Sequence, residues 1–553
     1  MRTKRLLVSL VLVSTVSFGS AQTSSSDFPP NELLQRITTE GLRAHMAFLA
    51  DDLLEGRGTG TRGYQLAANY VRAQFEEMGL KPAGVGGSYF QNVRFRRIEL
   101  LRDKSSLVVK PKNGSPRTLT IEKNYVMGGD PLSADTTAEG QVVFVGFGVS
   151  APEFKYNDYD GIDVRGKIVA ALYGAPPKMP SAPGAHFSST EQKLRMAAEH
   201  GAIGYISIWA GKTEQRTPFS EYVRFTRGPA LRWLDEKGVP DGAEPSIRGA
   251  ARISSSTAAL LFEGAPKSWK DALQAAANSQ PQAFLLTTSV AMHIVSRYSE
   301  AESPNVAAIL PGSDPRLKNE YVSFTAHLDH LGIGDPVKGD SIYNGAADNA
   351  SGTSALLEMA RAFSELHPAP RRSLLFIAVT GEEEGLLGSD YYAQNPTVPI
   401  TQIVANINMD EVSFLYDFKD IVPLGGEHSS LGAVADDVAR HMGLTVSPDP
   451  LPEEVYFVRS DQYSFILQGV PALYIEEGLQ TVNPNLDGKK MQFDWEVQRY
   501  HQPSDDINQP LDFNATVKCT RVNLAVGYEV AQQTERPHWN AGDFFNKFTK
   551  PAR

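Results

Sequence analysis

The chain has 553 residues, 41% hydrophobic and 21% charged, which is enough apolar material for a large core and for more than one domain. A net charge of −11 excludes a nucleic-acid surface, which needs clustered basic residues, and offers no attraction to anionic lipid. The single cysteine, Cys519, excludes an internal disulfide, so stability must come from core packing and bound metal.

Met1-Arg2-Thr3-Lys4-Arg5 is basic and leads into an apolar run from Leu6 to about Phe18, followed by Gly19-Ser20-Ala21. This is the pattern of a secretory signal peptide, 1–21, cleaved after Ala21. The run is short and broken by Ser9, Ser14 and Thr15, so no stable membrane anchor is expected. The expected location is periplasmic or extracellular.

Helical periodicity covers about 39–54 and 63–78, the second with Tyr64, Ala67, Ala68, Val71 and Phe75 on one face. Between them, Gly58-Thr59-Gly60-Thr61-Arg62-Gly63 matches a dinucleotide-binding pattern by letters only. No strand precedes it and no βαβ setting surrounds it, so it reads as a turn into a helix. Short alternating strands follow from about Tyr89 to Asn124, then buried strands at 140–149 and 166–173. A Gly/Pro-rich loop spans 174–184 and a helix 189–200. No cluster of chemistry-bearing residues falls between about 130 and 285, which sets that stretch apart as a second module.

From Asn305 onward strands alternate with helices. Tyr321–Ala326, Ser373–Val379 and Ile403–Met409 are continuous apolar runs of strand length, and Thr353–Leu366 is a helix. The fold class this predicts is α/β, a mixed sheet sandwiched between helices.

The ends of these strands carry the chemistry, as α/β sheets favour. His327 closes the first, and Asp329 can accept its second ring N–H and set the tautomer, with His330 as a competing histidine. Asp348 lies in the turn Gly345-Ala346-Ala347-Asp348-Asn349-Ala350-Ser351-Gly352, able to bridge two cations or merely to begin a helix. Glu382-Glu383-Glu384 is either a solvated acidic turn or a site where one carboxylate ligates and another takes a proton from water. Asp410 ends a further strand, and Tyr500-His501 sits in a polar loop. Two histidines and three carboxylates suit a pair of divalent cations sharing a bridge, and zinc fits such mixed nitrogen and oxygen donors.

In this order the five blocks resemble the co-catalytic dizinc aminopeptidases, whose wider zinc-peptidase clan includes glutamate carboxypeptidase, transferrin receptor and glutaminyl cyclase. The resemblance covers about Thr38–Phe90 and Ser303–Asp506. It implies two zinc ions per chain, one held by His327, Asp348 and Asp410, the other by Asp348, Glu383 and His501. It also implies Glu382 as general acid/base, Asp329 orienting His327, a cis Asp348–Asn349 peptide, and Tyr500 as a hydrogen-bond donor to the oxyanion. Ser460-Asp461 matches a Ser-Asp-His element of many relatives, with Gln462 in place of the histidine. Asp163-Val164-Arg165-Gly166-Lys167-Ile168-Val169 and Ala197-Ala198-Glu199-His200-Gly201-Ala202-Ile203-Gly204 resemble a protease-associated domain. The implied layout is a zinc exopeptidase-like catalytic domain, 30–125 and 286–540, with an inserted β-rich protease-associated domain, 126–285, capping the active-site mouth.

The implied substrates are peptides. Glu382, Glu384 and Asp461 favour a site for a substrate ammonium, hence an aminopeptidase. Arg459, which could hold a substrate carboxylate, keeps a carboxypeptidase or dipeptidase open.

Overall fold

The computed structural model describes residues 28–550, apart from 227, 281, 413 and 453; the expected signal peptide at 1–21 lies outside the described residues. The architecture is a mixed α/β sheet flanked by helices, joined to a second sheet by one long strand.

Four parallel strands form the middle of the main sheet, in the order Ser373–Val379, Tyr321–His327, Ile403–Asn408 and Ala472–Glu477. Antiparallel strands flank them. Phe284–Leu310 pairs with Ser373–Val379 on one side, and Asp420–Leu424 pairs with Ala472–Glu477 on the other. The apolar runs are continuous because both faces of the sheet are covered. Leu374, Phe376 and Ala378 pack into the larger core with Tyr64, Phe75, Leu357, Phe363 and Val522, while Leu375, Ile377 and Val379 pack on the opposite face with Tyr392 and Phe465.

The helices Thr39–Leu49 and Arg62–Glu77 form where periodicity places them, each with a threonine N-cap, Thr38 accepting from Gly41 N–H and Thr61 from Tyr64 N–H. The glycine-rich stretch before the second is a turn into that helix. The helix Gly352–Ser364 is buried along almost its whole length.

The second sheet runs in the order Tyr125–Met127, Ala250–Ser254, Gly204–Trp209, Ile168–Leu172, Asp135–Phe144, the first half of Phe284–Leu310, and Ser106–Lys110. Three of its neighbouring strand pairs are parallel, and helices such as Thr190–Glu199 accompany it, so it is more α/β than the expected β-rich insert. Its membership, from Ser106 to about Val295, is wider than 126–285. Part of the stretch 174–184, expected to be loop, is taken up by the helix Ser181–Ser188. Among the described residues, no helix is long and apolar enough to cross a membrane.

Candidate metal centre

His327 is the last residue of its strand, and its ring is buried. Its Nε2 lies 3.0 Å from Asp410 Oδ1 and 3.3 Å from Asp348 Oδ1. The other ring nitrogen, Nδ1, is 3.1 Å from the backbone carbonyl of Asp329, whereas the Asp329 carboxylate is 4.0 Å away. The ring is therefore oriented by the carbonyl rather than by the expected carboxylate. The carboxylate instead accepts from Glu382 N–H at 3.2 Å, Glu383 N–H at 3.3 Å and Thr59 Oγ1 at 3.1 Å, which fixes the acidic turn.

Asp348 stands between two groups of ligand-type atoms. Its Oδ1 faces His327, and its Oδ2 lies 3.2 Å from His501 Nε2 and 3.8 Å from His330 Nδ1. Glu383 completes the second group, with Oε2 3.1 Å from His501 Nε2 and Oε1 2.6 Å from His330 Nδ1. The Asp348–Asn349 peptide is cis. The turn is pinned by Asp505, whose carboxylate accepts from Ala347 N–H at 2.9 Å and Asp348 N–H at 3.0 Å. At Gly345, with φ +61°, a Cβ would fall 2.1 Å from Asp348 O and 2.6 Å from the His330 ring, so the close approach requires glycine.

Beneath this turn Arg57 is buried, its guanidinium donating to the carbonyls of Leu328, Leu49, Asn344 and Gly345. Burial lowers its pKa to about 10, with Asp348 and Asp505 opposing, so it stays charged at neutral pH. On the other side, Asp410 Oδ2 accepts from Ser460 Oγ at 2.7 Å. Gln462 accepts from Asn408 Nδ2 at 2.9 Å and donates to the carbonyls of Tyr456 and Phe457, so it clamps this turn. The Tyr500 ring stacks on His501 with centroids 3.9 Å apart.

All five expected ligands thus converge, divided into two groups by Asp348. Tetrahedral zinc at about 2.0–2.1 Å from nitrogen and oxygen donors separates its ligand atoms by about 3.3 Å. The spacings here run from 3.0 to 3.3 Å. His501 Nε2 is shut off from solvent and has no hydrogen-bond partner, although two carboxylate oxygens flank it. A nitrogen so placed offers its lone pair to a cation. The donor set and its spacing fit two divalent metals.

Three residues enter that sequence reasoning leaves aside or gives no role. His330 is fully enclosed against Glu383 and joins Asp348 and Glu383 as a possible ligand group, so it belongs to the centre. Asp505 and Arg57 act on the Asp348 turn from positions distant in sequence.

Residues 305–527 match the model of Peptidase family M28. A probable zinc metalloprotease of Pyrenophora teres f. teres is 28% identical over 251 residues, 42% of this chain and 49% of that protein. Aminopeptidase NAALADL1 of Rattus norvegicus is 26% identical over 317 residues, 50% of this chain and 39% of its own. Aminopeptidase Y of Saccharomyces cerevisiae is 28% identical over 229 residues, 40% and 37% respectively. The matches to these three curated relatives thus span half or less of each relative's length. Among solved structures, an aminopeptidase from Aneurinibacillus sp. strain AM-1 has the same fold, with a TM-score of 0.52 at 20% identity, over 92% of this chain and 97% of that one. Residues 305–527, the stretch that matches the Peptidase family M28 model, contain every candidate ligand of the centre.

Proposed function

We infer that this chain is a zinc-dependent exopeptidase, and specifically an aminopeptidase that releases the N-terminal residue of peptides. The observation that carries the reading is the pair of ligand groups sharing Asp348. His327, Asp348 and Asp410 would hold one zinc, and Asp348, Glu383 and His501 the other. When bound, the two ions supply Lewis acidity and a water acidic enough to ionise near neutrality. His330, against Glu383, steadies that ligand.

The remaining chemistry belongs to the chain itself. Glu382 takes a proton from the attacking water and passes it to the leaving amine. Its carboxyl is pushed well above the ordinary range by burial, against the pull of His327 and with Glu383 and Asp410 adding to the rise, which suits a group that must both accept and return a proton. Asp329 grips the backbone N–H groups of Glu382 and Glu383 and so aims both carboxylates. Tyr500, braced against His501, donates a hydrogen bond to the developing oxyanion. A carboxypeptidase is the second reading because Arg459 adjoins Ser460, which holds Asp410. The signal-peptide pattern supports export, and the likeness to protease-associated domains supports a cap at the mouth.

The test is hydrolysis of a peptide panel, each peptide free and N-acetylated, by the wild type and Glu382→Gln, read by mass spectrometry. Release of the first residue from free peptides only, reduced about 10²–10⁴-fold in the variant, is expected. Cleavage that ignores the acetyl group and releases the last residue would move the chain to the carboxypeptidase reading.

A further inference from the structure

The buried Arg57 guanidinium joins three segments through their backbone carbonyls. Nε donates to Leu328 O at 2.9 Å, Nη2 to Gly345 O at 2.9 Å, and Nη1 to Asn344 O at 2.6 Å and to Leu49 O. Leu328 follows the candidate ligand His327, and Gly345 opens the turn that carries Asp348. One planar group therefore sets the spacing between the end of the strand Tyr321–His327 and the Asp348 turn. The backbone of Arg57 adds a contact to the same strand end, its carbonyl accepting from His330 N–H at 3.3 Å. Asp505 grips the turn through the N–H groups of Ala347 and Asp348, so the arginine takes carbonyls and the aspartate takes amides.

The backbone that delivers this side chain is strained. Glu55, Gly56 and Arg57 lie consecutively in the left-handed region, with φ of +53°, +67° and +50°. Glu55 and Arg57 are not glycine, and such conformations persist only where the surroundings enforce them. A Cβ at Gly56 would fall 2.4 Å from Tyr343 O and 2.5 Å from Gly332 O, so the segment wedges between the two ends of the hairpin formed by Gly332–Val337 and Asp340–Tyr343. That hairpin connects the His327 strand to the Asp348 turn, and the wedge at 55–57 closes its base. Loss of the guanidinium would leave its carbonyls buried without that donor. Lysine, with one nitrogen on a flexible stem, cannot reach acceptors on three segments at once.

We propose that Arg57 is a positioning residue that holds the His327 strand end and the Asp348 turn at ligand spacing before metal arrives, and so sets the affinity for zinc. This rests on the reading of the site as a zinc centre. Arg57 supplies no ligand atom and acts only through the two turns it joins. A site whose ligands are already in place loses less freedom on binding, which is the source of the affinity.

The experiment adds zinc to the metal-free chain in competition with a chromogenic chelator, at a temperature where every variant is folded. Arg57→Lys keeps the charge and loses the fork, and is expected to weaken zinc binding about 10–100-fold, the range for residues that orient metal ligands. Val290→Ala, a core truncation in the second sheet, isolates the effect of lost stability and is expected to bind zinc as the wild type does. Hydrogen exchange on the metal-free wild type needs no variant. The N–H groups of Ala347, Asp348 and Ala350, bonded to Asp505 and Gly345, are expected to be protected nearly as well without zinc as with it. Zinc affinity in Arg57→Lys within about twofold of the wild type overturns the proposal. So does an equal loss in Val290→Ala, or protection at 347–350 that appears only when zinc is added. A wild type that binds no zinc overturns the zinc-centre reading, and the proposal with it.

Discussion

Lys193, on the helix Thr190–Glu199, is buried, and its Nζ donates to Leu172 O at 2.8 Å and Gly174 O at 2.6 Å. Burial lowers its pKa from 10.5 to about 7, partly opposed by Asp158. The folded chain holds this proton less tightly than the unfolded chain, so losing it favours folding. Stability from this group therefore rises with pH between about 7 and 10.5. Lys193→Met removes the ionisation. Melting temperature followed from pH 7 to 9.5 should climb more steeply in the wild type than in the variant, and parallel curves would refute the assignment. Other single residues divide by whether their partners are local. The candidate ligands His327, Asp348, Glu383, Asp410 and His501 are legible because each ends a strand or sits in a turn of distinctive composition. Asp505 is visible in the same block as His501, but the turn it pins lies 158 residues away. Arg57 carries no local signal, since all that makes it special is the set of carbonyls the fold gathers around it.

At the scale of elements, Gly63 in the helix Arg62–Glu77 packs directly against the preceding turn, and a Cβ there would lie 1.7 Å from Leu54 O. Alanine in a helix is worth about 1 kcal/mol over glycine. A clash with fixed backbone costs more, about 3 kcal/mol or above. Gly63→Ala should therefore lower stability in denaturant titration, and a gain would mean that the turn yields freely. The central strands are readable because both their faces are apolar, so the runs are unbroken. The helix Ser181–Ser188 is not, because prolines at 180 and 183 and a glycine at 184 imitate loop composition while fitting a first turn. Phe284–Leu310 is harder still. Its alternating first half and its second half, exposed to 302 and buried only over 303–308, belong to different sheets, and only pairing with distant strands reveals one continuous element.

For the whole molecule, that strand fastens the second sheet to the main one, and side chains close the same seam. His186 Nδ1 lies 2.5 Å from Tyr463 Oη, and Arg216 pairs with Glu454 at 2.5 Å, both partners belonging to the stretch that flanks Ser460. The second module therefore touches the loop that supports Asp410. With Cys519 the single cysteine of the sequence, no disulfide within the chain braces this arrangement. Metal at the Asp348 junction would tie together the ends of three strands, and a metal that binds only the folded chain stabilises it by about 2.7 kcal/mol at a hundredfold excess over its Kd. The most direct test is to count zinc per chain after equilibrium dialysis, for the wild type and for Asp348→Ala. A bridging Asp348 predicts two zinc ions in the wild type and fewer than one in the variant, because both groups lose a ligand together. A wild type holding one or none, or a variant that binds as many as the wild type, would contradict a centre built around this carboxylate.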